Sequence, residues 1–352
     1  MTVVTNMTTL NPIPAACNTA FKISFHPIYR ISQFYQLTAL ILAVFPLTFI
    51  FYKIKCSRFH GNLKWLLCGY FGVILLFAIV FVVLTSAQVV IPFTTKDPCD
   101  TLLDPVKYQI GNFFGCFFMT VPTFFPMSIT FERFWATREA RVYEKTRVLW
   151  GPIITLLVIL LDVIIMFFVY KDSNVTQSSY TFIIIPDSVA QRMYFFYMFM
   201  VGLNAVNFCL NVHLLIKNRR LTKINTTLTV RYQLEEVYTS TKFANKVIFI
   251  HVTFFGTYIA INISSRYWGS LLIPDPILLA AVRGAWGTMF ATYNLFVGSA
   301  AVYFYSKIKQ KTAATTNSMV RMQATGAAGA SNYANAISAA WNTFAHGSGS
   351  KL

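Results

Sequence analysis

Charged residues are scarce in this sequence, and acidic residues are the scarcest. Asp, Glu, Lys and Arg make up 12% of the 352 residues, against 56% hydrophobic residues, whereas soluble domains carry about 25% charged residues. The mean hydropathy is +0.55. This composition excludes an ordinary soluble protein and indicates a membrane protein.

The few charges are strongly unbalanced. The chain has 29 Lys and Arg but only 12 Asp and Glu, which gives a net charge of +17. In a soluble protein such an excess would suggest binding to nucleic acid. Here apolar runs separate the basic residues. We therefore expect no nucleic-acid partner, and instead a basic cytoplasmic face held against anionic membrane lipid.

The chain also lacks the patterns of enzymes and metalloproteins. Its six cysteines show no CxxC spacing and its five histidines are scattered, which argues against a metal site. There is no glycine-rich phosphate loop, no GxSxG motif and no nucleophile–base arrangement. We therefore expect neither enzymatic activity nor a cofactor. Residues 1–30 lack the apolar core of a signal peptide, so the first membrane helix would act as the insertion signal.

Long apolar runs are what the sequence does contain. A helix needs roughly 20 apolar residues to cross about 30 Å of hydrocarbon, and its backbone groups must bond within the segment. Seven runs meet this requirement and predict an all-α membrane protein, a seven-transmembrane-helix bundle. They cover residues 31–52, 65–91, 108–131, 149–170, 193–216, 247–271 and 277–305.

The distribution of basic residues predicts the orientation of this bundle. With the N-terminus outside, the inner loops and the tail hold 21 of the 29 Lys and Arg, and the outer segments hold 8. Positive residues concentrate on the cytoplasmic side of membrane proteins, so this orientation is favoured. It gives an extracellular N-terminal segment 1–30, a transmembrane domain 31–305 and a cytoplasmic tail 306–352, which we predict to be mostly disordered.

The predicted outer segments carry two kinds of modification site. Asn6 and Asn174 each begin an Asn-X-Thr sequon, and we expect both to be glycosylated. Cys17 and Cys99 are the only cysteines on the outer side. Because the secretory pathway is oxidising, we expect a Cys17–Cys99 disulfide; two free or intermolecular thiols are the alternative.

A charged pair lies at the inner end of the third run. The sequence Phe-Glu-Arg-Phe-Trp-Ala-Thr occupies residues 131–137, where the apolar run gives way to a charged loop. Glu132 and Arg133 can form a local pair, and breaking that pair would free the arginine to contact a partner. The alternative is that both residues only mark the water interface.

A few polar residues inside the runs are candidates for ligand binding. Asp162 is the only acid well inside a helix, where an ionisable side chain costs roughly 2.5–3.5 kcal/mol. A hydrogen bond to a neighbouring helix is the structural alternative for it. Asn204, Asn207 and Asn211 share one helix face. This arrangement favours hydrogen bonds between helices; the alternative is that Asn204, the outermost of the three, would line a cavity.

Aromatic and basic residues at the outer ends of the sixth and seventh runs are the other pocket candidates. Singly, such residues are usually interface anchors; together they would form a cup for a small polar or aromatic molecule. They are Tyr267, Trp268, Arg283 and Trp286.

Residues 231–246 are predicted to extend the sixth helix on the inner side. They contain no Gly or Pro and place apolar or aromatic residues at 232, 234, 237 and 238, which indicates a helix. Beside Glu132 and Arg133 this extension would offer a docking surface to a soluble partner. A solvated charged face is the alternative.

Seven helices with an outer N-terminus, and Glu-Arg at the inner end of the third, resemble a G-protein-coupled receptor. More narrowly, the chain resembles the nematode serpentine chemoreceptors of the class alpha superfamily, most closely serpentine receptor class alpha/beta. The resemblance rests on residues 131–137, on Lys-Asp-Pro-Cys-Asp at 96–100 and on residues 231–251, and it covers about residues 17–310.

This resemblance implies a rhodopsin-like receptor architecture in the plasma membrane of a sensory neuron, at its cilium. Such a receptor binds an environmental small molecule or peptide and activates a heterotrimeric G protein. Glu132 would restrain Arg133 in the inactive state and then release it. Because Phe134 replaces the tyrosine of the acid–Arg–Tyr motif, and Leu295 follows Asn294 where proline is expected, the details of the switch are expected to differ.

The alternative function is a seven-helix ligand-gated channel or transporter. Such a protein needs polar residues along a continuous pore, and Asp162 with the three asparagines are too few to outline one. Some seven-helix channels also have their N-terminus inside, which the distribution of basic residues argues against.

Overall fold

The structure is a computed structural model that describes residues 15–57, 59–95, 97–139, 143, 148–171, 179–224, 228–320 and 326–348. Asn6 and Asn174, the two predicted glycosylation sites, lie outside these residues. Within the described part of the chain the regular secondary structure is helical, and one isolated antiparallel bridge joins Leu103 to Ser179. The terms outer and inner follow the orientation predicted above.

Six long helices account for the first six predicted runs. A short helix, α1 (Ala15–Ser24), precedes them. The six are α2 (Pro27–Lys55), α3 (Gly61–Thr94), α4 (Pro105–Arg138), α5 (Trp150–Tyr170), α6 (Asp187–Ile224) and α7 (Leu228–Tyr267). Each is long and apolar enough to cross a membrane. Because α7 begins at Leu228, the predicted inner extension over 231–246 is helical.

The seventh predicted run, 277–305, is not a single helix, which corrects the prediction. After the short α8 (Gly269–Leu272), the chain forms α9 (Pro276–Ala285) and α10 (Thr288–Val320). Within the described residues, only α2 to α7 have the length and hydropathy required of a single spanning helix.

The break between α9 and α10 includes a closely packed glycine. A Cβ atom on Gly287 would lie 2.3 Å from the Cδ1 atom of Ile183 and 2.7 Å from Oε1 of Gln36. A larger residue here would require the ends of these two side chains to move. Glycine also weakens a helix, which is consistent with the interruption at this position.

The helix α4 is the centre of the bundle. It contacts α3, α5, α6 and α7, and it is the most buried of the six long helices. Pro122 and Pro126 lie within it and are both buried. Large apolar side chains such as Phe45 and Phe195 are exposed on the outside of the bundle, as expected of surfaces that face lipid rather than water.

On the outer side, a disulfide links the N-terminal segment to the bundle. Cys17 of α1 is bonded to Cys99, which lies in a short 3-10 helix (Pro98–Thr101) between α3 and α4. The predicted pairing is therefore present in the structure.

The segment that leads into α6 reaches back into the bundle. The Tyr180 hydroxyl donates to the carbonyl oxygen of Ala280 at 2.7 Å. The Asn112 amide donates to the carbonyl oxygens of Phe182 and Ile184, at 2.8 and 2.9 Å. These hydrogen bonds hold residues 180–184 against α4 and α9.

The tail contains more helix than the sequence predicts. Residues from Tyr303 onward form a separate compact unit, in which α10 continues to Val320 and α11 spans Gly326–Ser348. The α11 sequence is rich in alanine and has no proline, and alanine is the strongest helix former. Most of its described side chains are exposed, so its helicity rests on local propensity rather than on packing.

Candidate functional site

The Glu132–Arg133 pair lies near the inner end of α4 and is buried. Glu132 is 4% exposed and Arg133 is 1% exposed. Nε of Arg133 donates to Oε2 of Glu132 at 2.5 Å, and Nη2 donates to Oε1 at 2.6 Å. This bidentate geometry is the strongest that an arginine and a carboxylate can form. Both groups are shielded from water, unlike charges that only mark an interface.

A third hydrogen bond joins Arg133 to another helix. Its Nη1 atom donates to the hydroxyl of Ser240 on α7, at 2.6 Å. Ser240 is itself 1% exposed, and its hydroxyl donates to the carbonyl oxygen of Glu236 at 2.8 Å. The arginine therefore forms a polar link between the inner parts of α4 and α7.

Tyr143 completes the site from the segment between α4 and α5. Its hydroxyl donates to Oε1 of Glu132, and its ring centroid lies 4.2 Å from that of His60. Burial, and then the neighbouring Glu132 carboxylate, raise the pKa of Tyr143 above its ordinary value. The tyrosine therefore remains a protonated hydrogen-bond donor at physiological pH.

We refer to Glu132, Arg133, Tyr143 and Ser240 as the inner network. Breaking a buried ion pair by removing one partner costs about 3–5 kcal/mol, because the other charge is left buried and unpaired. The network therefore favours the packing of α4 against α7 that satisfies all of its bonds. Within the described residues there is no group of three His, Cys, Asp or Glu that could hold a metal ion.

Sequence reasoning identified the first two members of the inner network and missed the other two. Ser240 lies three residues after Val237 and six after Leu234, which are both buried. A serine on the apolar face of a helix is the signal that could have identified it. Tyr143 lies in a predicted loop, and no local pattern distinguishes it from other loop residues.

A cavity lies in the bundle between α3, α4, α7 and α10. The cavity is small, with a free volume of about 30 Å³. Pro122, one of the two prolines of α4, lines it. The other lining residues are mostly aromatic and include Phe77, Phe118, Met119, His251, Tyr258 and Phe290.

Two of the predicted pocket residues are buried and form contacts within the bundle. Asp162 is fully buried and accepts a hydrogen bond from the Thr120 hydroxyl of α4 at 2.9 Å. Asn204 is fully buried, and its amide donates to the carbonyl oxygen of Met200 at 2.9 Å. Asn211, on the same face, donates to the hydroxyl of Thr130 on α4.

The other four predicted pocket residues lie at the outer end. Tyr267 and Trp268 are 68% and 59% exposed. Arg283 is partly buried and donates to the carbonyl oxygen of Ser265 at 2.9 Å, while Trp286 lies at the break between α9 and α10. None of the six predicted pocket residues is among those that line the cavity described above.

Comparison with known proteins places this arrangement among nematode receptors. Residues 25–255 match the family described as serpentine type 7TM GPCR chemoreceptor Srb. The chain is 51% identical to Serpentine receptor class beta-7 of Caenorhabditis elegans over 94% of this chain and 95% of the relative. It is 45% identical to Serpentine receptor class beta-15 of the same organism, over 95% of this chain and 100% of that relative. The resemblance to serpentine chemoreceptors is confirmed, and the class of these relatives is beta.

Proposed function

The chain belongs to the serpentine type 7TM GPCR chemoreceptor family Srb, and we propose that it binds an environmental chemical and activates a heterotrimeric G protein. It is a multi-pass membrane protein. The proposal places it in the plasma membrane, at the cilium of a sensory neuron. A small molecule or peptide would bind from outside, and the G protein would bind the inner face.

The observation that carries this proposal is the inner network. Arg133 is held by Glu132 on its own helix and by Ser240 on α7. If the inner part of α7 moves away from α4, the bond to Ser240 is lost and the arginine becomes accessible to a partner. A ligand can favour that second packing only by binding it more tightly than the first.

The inner ends of α6 and α7 offer a basic surface for such a partner. The side chains of Lys217, Arg219 and Arg220 on α6 are exposed, and so is that of Lys242 on α7. Exposed cations attract an acidic protein surface and orient it before contact. The same cations also favour contact with anionic lipid on the cytoplasmic leaflet.

The alternative function, a channel or transporter, requires a continuous polar pathway. Asp162 and Asn211 instead form hydrogen bonds with threonines of α4. The cavity is lined mainly by apolar and aromatic side chains. These contacts support the receptor function over the channel.

Nucleotide exchange on purified heterotrimeric G proteins tests the proposal without knowledge of the ligand. The full chain is reconstituted in lipid nanodiscs, and its basal activity is compared with that of empty nanodiscs. Glu132→Gln weakens the restraint on Arg133. A loss of about 1.4 kcal/mol shifts the equilibrium between the two helix packings tenfold, so we expect basal exchange to rise about tenfold. Arg133→Ala should abolish exchange.

Arg138→Ala is the matched control. Arg138 also lies near the inner end of α4, but its side chain is 70% exposed. Its Nε atom lies 4.0 Å from Oε1 of Glu139, so the two form a long, solvated ion pair. This variant should behave like the wild-type chain. If the wild-type chain and Glu132→Gln stimulate no G-protein class above empty nanodiscs, the receptor function is wrong. If Arg133→Ala retains wild-type exchange, the inner network is not the switch.

A further inference from the structure

We infer that α11 binds the lipid of the cytoplasmic membrane leaflet through an apolar stripe formed by Tyr333, Ile337 and Trp341. These side chains would lie at the boundary between lipid head groups and acyl chains, with the helix in the plane of the membrane. The inference concerns the tail alone and does not depend on the proposed activation of a G protein.

The apolar stripe is exposed in the structure. Tyr333, Ile337 and Trp341 follow one another at intervals of four residues, so successive side chains turn by only about 40° around the helix. They are 63%, 39% and 71% exposed. Asn332 and Asn335 lie on the opposite side of the helix and are exposed as well. The helix is therefore amphipathic, and its apolar stripe faces solvent.

The polar side chains of α11 indicate a lipid surface rather than water. The helix contains no Asp, Glu, Lys or Arg over its 23 residues, and its polar positions are mainly Asn, Ser and Thr. A helix that stays in water usually carries charged residues opposite its apolar face. Trp and Tyr combine an apolar ring with a polar group and concentrate at the boundary between hydrocarbon and water. An amphipathic helix with these features lies in the membrane interface.

The charge of the tail distinguishes between the surfaces that could cover the stripe. Residues 303–352 contain five Lys and Arg and no Asp or Glu. The inner ends of α6 and α7 expose cations of their own, Lys217, Arg219, Arg220 and Lys242, and a second copy of the tail is equally basic. Both would repel the tail, whereas the anionic lipid of the cytoplasmic leaflet attracts it. Of these three surfaces, the membrane is therefore the one that the charges favour.

The chain is long enough to bring α11 back to the membrane. The seventh apolar run ends at residue 305, and α10 continues to Val320. Residues 306–320 extend about 22 Å as a helix, and the chain from residue 320 to 326 spans at most about 22 Å. The start of α11 therefore lies within about 45 Å of the inner membrane surface, and this tether keeps the local concentration of lipid around the helix high.

Hydrogen exchange on the full chain in nanodiscs tests the contact. Each disc holds one chain in phosphatidylcholine with phosphatidylserine, and exchange of the α11 amides is followed by mass spectrometry. An isolated helix is only marginally stable in water, whereas a helix bound to lipid is protected. We expect the triple substitution Tyr333→Ser, Ile337→Ser and Trp341→Ser to speed exchange about tenfold. Equal exchange in the wild-type chain and the triple variant would overturn the inference.

The double substitution Asn332→Ser and Asn335→Ser is the matched control. It changes the opposite side of α11 and, like the triple substitution, hardly alters helix propensity, because Ser, Asn, Ile, Tyr and Trp are similar in this respect. Its α11 amides should exchange at the wild-type rate, and both variants should keep the wild-type melting temperature. If the double substitution speeds exchange as much as the triple one, the apolar stripe is not the contact and the inference is wrong.

Fluorescence quenching identifies what covers the stripe. Trp341 is the only tryptophan in residues 303–352, and its emission is isolated as the difference between the wild-type chain and Trp341→Phe. Phosphatidylcholine brominated on its acyl chains should quench this emission, because the bromine then lies close to the indole ring. Protected α11 amides with an unquenched Trp341 would show that protein rather than lipid covers the stripe, and would overturn the inference.

The lipid composition tests the charge argument. In discs of phosphatidylcholine alone, the attraction between anionic lipid and the basic residues of the tail is lost. The α11 amides should therefore exchange faster there than in discs that contain phosphatidylserine, and quenching of Trp341 should be weaker. Equal protection in the two kinds of disc would overturn the role assigned to the basic residues of the tail.

Discussion

Arg133 carries a full charge at a position that water does not reach. Three of its N–H groups donate to two partners, Glu132 on the same helix and Ser240 on α7. The bond within the helix depends little on how the helices pack, whereas the bond to Ser240 depends on it directly. A change in the packing of α4 against α7 therefore changes the hydrogen bonding of Arg133, and this makes the residue suitable as a conformational switch.

Tyr143→Phe tests the contribution of the loop to the inner network. The substitution removes the hydroxyl that donates to Glu132 and keeps the ring beside His60. We expect a loss of stability of about 1.5–3 kcal/mol, the usual value for a hydrogen bond to a charged group. The melting temperature of the full chain in nanodiscs measures it. Tyr52→Phe, at an exposed tyrosine of α2, should leave the melting temperature unchanged.

The pH dependence of the melting temperature, compared between the wild-type chain and Tyr143→Phe, provides a second test of this contact. Burial and the Glu132 carboxylate raise the pKa of Tyr143 in the folded chain. Below about pH 10, the ordinary pKa of tyrosine, both the folded and the unfolded chain keep the proton. Above that pH the unfolded chain loses it first, so the stabilisation by Tyr143 decreases. The difference in melting temperature between wild type and Tyr143→Phe should be constant from about pH 6 to 9 and shrink above about pH 10. A difference that grows above pH 10 would contradict the assigned contact.

Single residues were predictable from the sequence where their partners are neighbours. Glu132 and Arg133 are adjacent, so their pairing could be predicted directly. Ser240 is distant along the chain, and its contact with Arg133 depends on how α4 and α7 pack. The same limit applies to Asp162, whose structural alternative, a bond to a neighbouring helix, is what the structure contains.

At the level of helices, close approach between α3 and α5 is a specific feature of the fold. A Cβ atom on Gly151 would lie 2.6 Å from the carbonyl oxygen of Asn62 and 2.7 Å from its Cα atom. The Gly151 amide also donates to Oδ1 of Asn62 at 3.0 Å. Because the obstructing atoms belong to the backbone, no side-chain rotation can make room for a larger residue.

Gly151→Ala should therefore destabilise the bundle. We expect a cost of about 1–3 kcal/mol, the usual range for overpacking, measured as a lower melting temperature. Gly202→Ala is the matched control, because Gly202 lies inside α6 and a Cβ atom added there would meet no neighbouring side chain or helix within 4 Å. There the gain in helix propensity should raise the melting temperature slightly. Equal effects of the two substitutions would show that the α3–α5 contact is not tight.

Six of the seven membrane segments could be predicted because length and hydropathy are local properties. The break in the seventh was not predicted, since it lies inside one continuous apolar run, at Gly287, where Ile183 and Gln36 from distant parts of the chain pack closely. The cavity escaped prediction for the same reason. Its walls come from four helices, and the aromatic residues that form them look like ordinary core residues in the sequence.

Across the whole molecule, α7 extends from the inner network to the outer side. It contributes Ser240 to the inner network and His251 to the lining of the cavity. The Cys17–Cys99 disulfide and the segment 180–184 hold other parts of the outer side in place. Under the proposed receptor function, a ligand that shifts α7 relative to α4 would act on the inner network.

That mechanism requires the predicted orientation, which the sequons of the chain can test. Asn6 and Asn174 begin sequons on segments predicted to be outside, and Asn225 begins one on a predicted inner loop. Because glycans are added only on the lumenal side of the secretory pathway, endoglycosidase should shift the gel mobility of the expressed protein. Asn6→Gln and Asn174→Gln should each remove one step of that shift, and Asn225→Gln should have no effect. Glycosylation at Asn225 with Asn6 and Asn174 bare would invert the topology, place the inner network outside the cell and leave the channel as the better hypothesis.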